Sequence, residues 1–302
     1  MLFVTSLAIL LAAGPSVFGA SLDENYQSLQ DAVAKKDVAQ IKTLAVQTSA
    51  QAREAIAVAE PTTNEEKTAW KQRVNFAKDV DSYSEYALFV TAIQAEPATT
   101  VDLLQTLEKQ NPKSKYLADA YATYFYALHK TGASAKIPEV AEKALTNFPD
   151  NADALAIMAE ESYSKKQMDR ALNYASRLTA SLNKSEKPEG VSAGDWERKR
   201  GAGLASGYWI AGVVQAEKKQ YFEADRDLRA ALPLVSGNET RKAYALFYLG
   251  LANYNLGKMT MKKAQILEAV KFSQDAASIK SPLAQQAWHN ALAMKDEAAK
   301  MR

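Results

Sequence analysis

An all-α fold of stacked helical hairpins is the class this chain predicts, and three observations predict it. The first is recurrence. Helix-turn-helix units return at Ser84, Tyr121, Leu155, Tyr208 and Leu246, spaced by 37, 34, 53 and 38 residues. Periods in this range mark solenoids, in which each unit buries its apolar face only by stacking on the next. The second is composition: with only 12 glycines and 9 prolines in 302 residues, and abundant alanine, helix is favoured over strand. The third is the placement of small residues. Ala171, Gly212, Ala224 and Gly250 stand where two helices of a hairpin would cross, with large residues between them.

The elements follow in order. Residues 1–20, MLFVTSLAILLAAGPSVFGA, form the only long apolar run. Gly14-Pro15 breaks it, and Val17 and Gly19 are small or short residues at the positions before a cleavage point. This predicts a secretory leader cut after Gly19 or Ala20, and hence export to a periplasm or beyond the cell. An uncleaved anchor is the competing reading, but the apolar stretch before Gly14 is short for a span of roughly 20 residues. Residues 21–80 read as an N-terminal helical segment, with Asp37 able to start a second helix. Thr63 or Asn64 can cap a third, beginning at Glu65. The repeat array follows over 81–275, in units 81–115, 116–151, 152–182, 200–237 and 239–275. The polar stretch 183–192 is an exposed insertion. Ser281-Pro282 opens a last helix over 281–302, whose Ala287, Ala291, Met294 and Ala298 form one stripe suited to capping the array.

The residues of the units share a pattern. Tyr208, Ala211, Gly212, Tyr221, Ala224, Leu228 and Ala231 resemble the tetratricopeptide repeat, as do Leu155, Met158, Ala159, Ala171, Ala175 and Leu178 of the preceding unit. Tyr121, Tyr124, Ala141, Ala144 and Pro149 fit less closely, because Phe125 and Ile137 replace small residues. Leu246, Leu249, Gly250 and Gly257 fit with a longer turn. Leu88, Leu104, Leu107 and Pro112 are marginal. The resemblance covers roughly 190 residues. It implies a right-handed α-α superhelix whose first helices line a concave groove. By the family's pattern that groove is lined by Tyr126, His129, Glu160, Tyr163, Trp209, Val213, Tyr244, Phe247, Leu251 and Tyr254. Its aromatic side chains are suited to anchoring a peptide or protein partner. It lacks the lysine and asparagine array with which some members clamp a C-terminal carboxylate.

Other chemistry finds little support. The absence of cysteine excludes disulfides, zinc thiolates and thiol catalysis. His129 and His289 are the only histidines, and their spacing suggests neither a metal site nor a catalytic triad. Glu160-Glu161 are helical neighbours that point about 100° apart, so they do not converge as an acid/base pair would. No Gly-rich phosphate loop occurs. A formal net charge of +2 argues against a dedicated nucleic-acid binder. Glu197-Arg198-Lys199-Arg200, with Lys218-Lys219, is the densest basic cluster, read either as a contact for anions or as a solvated helix start. The expectation is therefore an exported, non-enzymatic interaction scaffold, with no catalytic residue, metal or cofactor and no membrane span in the mature chain. Its rivals are an envelope protein that binds a small ligand or glycan, and an enzyme using carboxylates brought together only by folding.

Overall fold

The computed structural model describes residues 21–188 and 190–301. The leader expected at 1–20 lies outside the described residues. Those residues form thirteen α-helices and one short 3-10 turn, with no strand. No helix among them is long and apolar enough to cross a membrane. The chain divides after Leu117 into two compact units.

The first unit holds α1 (Leu22–Lys35), α2 (Val38–Ile56), α3 (Asn64–Ala92) and α4 (Pro97–Gln110). Local chemistry starts each of them. Ser21 and Glu24 make a capping box, with the Ser21 amide donating to Glu24 Oε2 at 2.7 Å. Asp37 caps α2, Thr63 caps α3, and Pro97 occupies the first turn of α4, where its missing N–H costs nothing. Consecutive helices pack on one another, and α1 also meets α3 and α2 meets α4. The expected boundary at residue 80/81 is corrected here. α3 runs unbroken through it because it contains neither glycine nor proline, and because Asp81 and Glu85 are drawn inward rather than left to solvent.

An ion-pair network ties the first unit together. Arg53 of α2 donates from Nε to Asp81 Oδ2 at 3.1 Å and from Nη1 to the Gln110 carbonyl at 2.5 Å, and lies 3.6 Å from Glu85. The Ser49 hydroxyl donates to Asp81, and Asn111 Nδ2 donates to Glu85 Oε1. One guanidinium thus links α2, α3 and the end of α4.

The division falls within α5 (Lys115–Lys130). Beyond it come α6 (Ile137–Asn147), α7 (Ala152–Ser164), α8 (Met168–Lys184), α9 (Ala193–Glu217), α10 (Tyr221–Leu234), α11 (Glu239–Met259), α12 (Lys263–Ser278) and α13 (Ala284–Lys300). From α6 onward each helix packs on the next, and α7 meets α9, α9 meets α11 and α11 meets α13. Glycines set how closely they approach. A Cβ added to Gly212 would lie 2.6 Å from Leu228 Cγ and 3.0 Å from the Leu228 amide nitrogen, so only glycine fits where α9 crosses α10. Gly250 meets Ser273 and Gly257 meets Ile266 in the same way, where α11 crosses α12. Ala171 and Ala224 are fully buried. Gly212 and Gly250, picked out in the sequence, therefore occupy helix crossings, and Ala171 and Ala224 lie in the core. The core of this region runs across α7 to α11, with Ile210, Val213, Val214, Leu228 and Leu249 fully buried. Each such side chain contributes about 2 kcal/mol of burial.

Candidate functional site

Cross-helix pairs fix the relation between α7, α9 and α11. Lys199 Nζ donates to Asp153 Oδ2 at 2.8 Å, and the Ser206 hydroxyl donates to Glu160 Oε1 at 2.5 Å. Tyr163 and Trp209 meet edge to face with centroids 5.2 Å apart. Each pair keeps the same offset along the chain, so α7 and α9 run parallel and in register. Trp209 against Tyr244 at 6.2 Å, and Glu217 against the Tyr248 hydroxyl at 2.7 Å, give α9 and α11 the same sense. Three parallel helices thus present one shared face.

A recess of about 420 Å³ opens on that face, lined by Glu160, Tyr163, Trp209, Asn238, Thr240, Arg241 and Tyr244. A neighbouring trough of about 320 Å³, bounded by Asp153, Ile157, Lys199 and Ser206, also reaches Glu160. Arg241 organises the recess. Its Nη2 donates to Glu160 Oε1 at 2.5 Å, and its guanidinium carbon lies 5.0 Å from the Trp209 ring centroid. Trp209 Nε1 in turn donates to the Arg241 carbonyl at 2.9 Å. Asn238 caps α11 by accepting from the Arg241 amide, which fixes where that residue leaves the helix start. Arg241, Tyr244 and Tyr248 then fall on one helical face.

The electrostatics follow from this arrangement. Burial, then Glu217, Tyr244 and Glu160, push the Tyr163 phenol up to about 12, with Arg241 pulling the other way. Burial and donation to Glu217 push Tyr248 up as well. Both phenols are neutral donors through the ordinary pH range. The recess offers aromatic rings, the phenols of Tyr163 and Tyr244, a guanidinium and a carboxylate already satisfied by two donors. This is binding chemistry, with polar groups fixed in an aromatic wall. Among the described residues no group of three or more histidine, aspartate or glutamate side chains could hold a metal ion.

The expected site residues separate into three sets. Glu160, Tyr163, Trp209 and Tyr244 come together in the recess. Trp209 is only 5% exposed, so it forms the floor and offers little surface. Val213 and Phe247 are buried: Val213 lies in the central core, and Phe247 packs with Leu246, Ala276 and Ala287. Tyr254 packs beside Ile266, Val270 and Met294, with Lys258 Nζ 5.4 Å from its ring centroid. Leu251 is half-buried on α11. For Val213 and Phe247 the expectation of an open contact face is corrected, because the central core and the packing of α11 on α12 and α13 take up their apolar surface, whereas Tyr254 is half-buried. Tyr126 and His129 are exposed on α5, where Lys130 lies over the Tyr126 ring and His129 Nδ1 is 3.1 Å from the Ser134 hydroxyl. They line neither recess.

Arg241 escaped the sequence reading, although its place three residues before Tyr244 on a capped helix start was visible. Glu161 turns away to pair with Lys165, so it and Glu160 do diverge. The basic cluster disperses: Arg198 pairs with Asp195, Lys199 with Asp153, and Arg200 Nε donates to the Leu182 carbonyl. A wider groove of about 710 Å³ lies between α10 and α12, lined by Leu232, Leu246, Phe272 and Ile279. Arg229, Lys242 and Asp275 also border it, but it holds one aromatic ring, Phe272, against the three of the recess, and makes the weaker candidate. No protein-family model matches the chain, and no curated protein sequence matches it.

Proposed function

We propose that this protein is an exported, non-enzymatic interaction scaffold built from tetratricopeptide-like hairpins wound as a right-handed superhelix, holding a peptide segment of a partner protein on the shared face of α7, α9 and α11. The observation that carries the reading is the recess around Arg241. A guanidinium held between Glu160 and the Trp209 ring, beside two phenols, is preorganised before any ligand arrives. The repeat pattern and the parallel register of the three helices support the superhelix. The apolar run at residues 1–20 supports export. A peptide fits better than a small enclosed ligand because recess and trough adjoin through Glu160 along the helix face.

The test is selection of peptides from a displayed random library on the full chain, followed by binding to Tyr163→Ala and Tyr244→Ala. Loss of a large aromatic anchor is expected to weaken a selected peptide by about tenfold or more. Selected peptides that bind both variants as tightly as the parent would rule the recess out.

A further inference from the structure

Three hairpin turns of the second unit share a feature that peptide binding does not use. The turns α7–α8, α9–α10 and α11–α12 each place a non-glycine residue in the left-handed region: Lys166 at φ 56°, Lys219 at φ 61° and Met261 at φ 54°. Each turn closes with the same bond. Gln167, Gln220 and Lys262 donate their amides to the carbonyls of Ser162, Gln215 and Gly257 at 2.8, 2.8 and 2.9 Å. Glycine is the usual occupant of this position, as Gly132 illustrates at φ 75° after α5. Lys166, Lys219 and Met261 each carry a local backbone cost there.

α7, α9 and α11 run parallel, and Asn253 Nδ2 of α11 donates to Asp225 Oδ1 near the start of α10, so these three turns fall along one edge. Lys218 of the second turn pairs with Asp169 at the start of α8, which sets the first two side by side. The carboxylates Glu161, Asp169 and Glu297 are taken up by Lys165, Lys218 and Lys258, and Glu217 accepts from Tyr248. Glu223 is the further acidic group near the second turn. Lys166, Lys219 and Lys262, one per turn, make no ion pair among the described residues and are exposed. The same edge carries the three most exposed large apolar side chains among the described residues: Met261 at 78%, Met259 at 66% and Phe222 at 63%.

We infer that this edge docks on a bilayer containing anionic phospholipid. The lysines meet headgroup phosphates, while Phe222, Met259 and Met261 enter the boundary between headgroups and acyl chains. A free anion would leave those apolar groups in water. A nucleic acid would favour arginines over these flexible lysines. The peptide-binding recess lies on the helix faces, so the two readings stand or fall separately.

The experiment is co-sedimentation of the full chain with phosphatidylcholine vesicles, with and without about one-third phosphatidylglycerol. Every variant keeps residues 1–20, so any contribution from them cancels in the comparison. Lys166→Gln/Lys219→Gln/Lys262→Gln is expected to weaken partitioning into the anionic vesicles on the order of a hundredfold, from the typical contribution per lysine. Phe222→Ser/Met259→Ser/Met261→Ser is expected to weaken it comparably. Lys166→Gly/Lys219→Gly suits the backbone better, so it is expected to melt at a higher temperature and still lose binding. This separates a membrane role from a folding one. Partitioning unchanged in the lysine variant, equal binding to neutral vesicles, or lysine-dependent binding to polyglutamate with none to vesicles would each overturn the inference.

Discussion

From Ser21 to Leu117 the chain has no glycine, and its helices meet on alanines such as Ala52 of α2 and Ala77 of α3, both fully buried. Beyond Ala118, five glycines stand at helix crossings: Gly203, Gly207, Gly212, Gly250 and Gly257. The first unit keeps its helices a methyl group apart and adds an ion-pair network through Arg53. The second brings backbone nearer to backbone, so that a Cβ on Gly207 would lie 3.2 Å from the Ala175 carbonyl oxygen. Each glycine within a helix costs about 1 kcal/mol of propensity, so the close crossings must return more than that in packing. The lesson is that similar antiparallel helix pairs are held by two devices, whose responses to mutation have opposite sign.

The largest effect comes from reversing the devices. Gly212→Val is expected to destabilise the second unit by about 3 kcal/mol and Gly212→Ala by about 2, because the added carbons meet Leu228 near its backbone. Gly201→Ala on the same helix meets nothing within 4 Å and is expected to stabilise by about 1 kcal/mol. In the first unit the sign flips: Ala77→Gly should cost about 1 kcal/mol or more through propensity and the lost methyl. Urea unfolding followed by tryptophan fluorescence reads the second unit through Trp196, Trp209 and Trp288 and the first through Trp70. A neutral Gly212→Ala would break the contrast.

The charge networks should differ next. Arg53 serves Glu85, whose side chain is 9% exposed, whereas Arg241 serves Glu160 at 41%. Removing a cation costs most where the carboxylate left behind cannot reach water. Arg53→Met is therefore expected to cost about 2 kcal/mol and Arg241→Met about 1 in the same urea experiment. Equal costs would mean that Glu160 is as enclosed as Glu85.

This asymmetry also marks what could be read from the chain beforehand. The helix class, the caps at Thr63 and the crossings at Gly212 and Gly250 were legible, because each depends on local spacing or on one residue's size. Gly203 and Gly207 sit in the plain run of small residues GAGLASG, and marking that run as a crossing would have found them. The fates of Val213 and Phe247 were not legible. An apolar residue at a groove position and one under a neighbouring helix have the same local signature, and α12 and α13 decide between them. The Glu160–Arg241 pair joins residues 81 apart. Nothing in either local pattern specifies the other partner. Arg53 with Asp81 and Glu85 is a similar case, since only folding brings α2 beside α3.

The turns sharpen the comparison in a smaller way, because here the units share a device. Lys36, between α1 and α2, adopts φ 57° just as Lys219 does at 61°. Lys36→Gly and Lys219→Gly are each expected to raise stability by about 0.5–1 kcal/mol, since glycine takes this conformation without a Cβ penalty. Gly132→Ala should lose a similar amount. Gains in one unit only would show that one of the two lysines is held by contacts beyond its backbone.

The smallest effect separates the aromatic clusters. Tyr83 in the first unit is raised by burial and by its neighbours Tyr26 and Tyr86, with no carboxylate among the causes. Tyr163 is raised to about 12 by burial first, then by Glu217 and other neighbours. A phenol raised in the fold contributes its full stabilisation below its unfolded value near 10. That contribution is lost as pH climbs from there through about 12, because the unfolded chain ionises first. The phenolate absorbance of the parent minus that of Tyr163→Phe should therefore place one ionisation near 12. Glu217→Gln removes a negative neighbour and should move that step down, while Tyr83 stays where it was. Tyr248 should fall as well, having lost the carboxylate that accepts its proton. A Tyr163 step that ignores Glu217→Gln would mean that burial alone raises it, making the two aromatic clusters electrostatically alike.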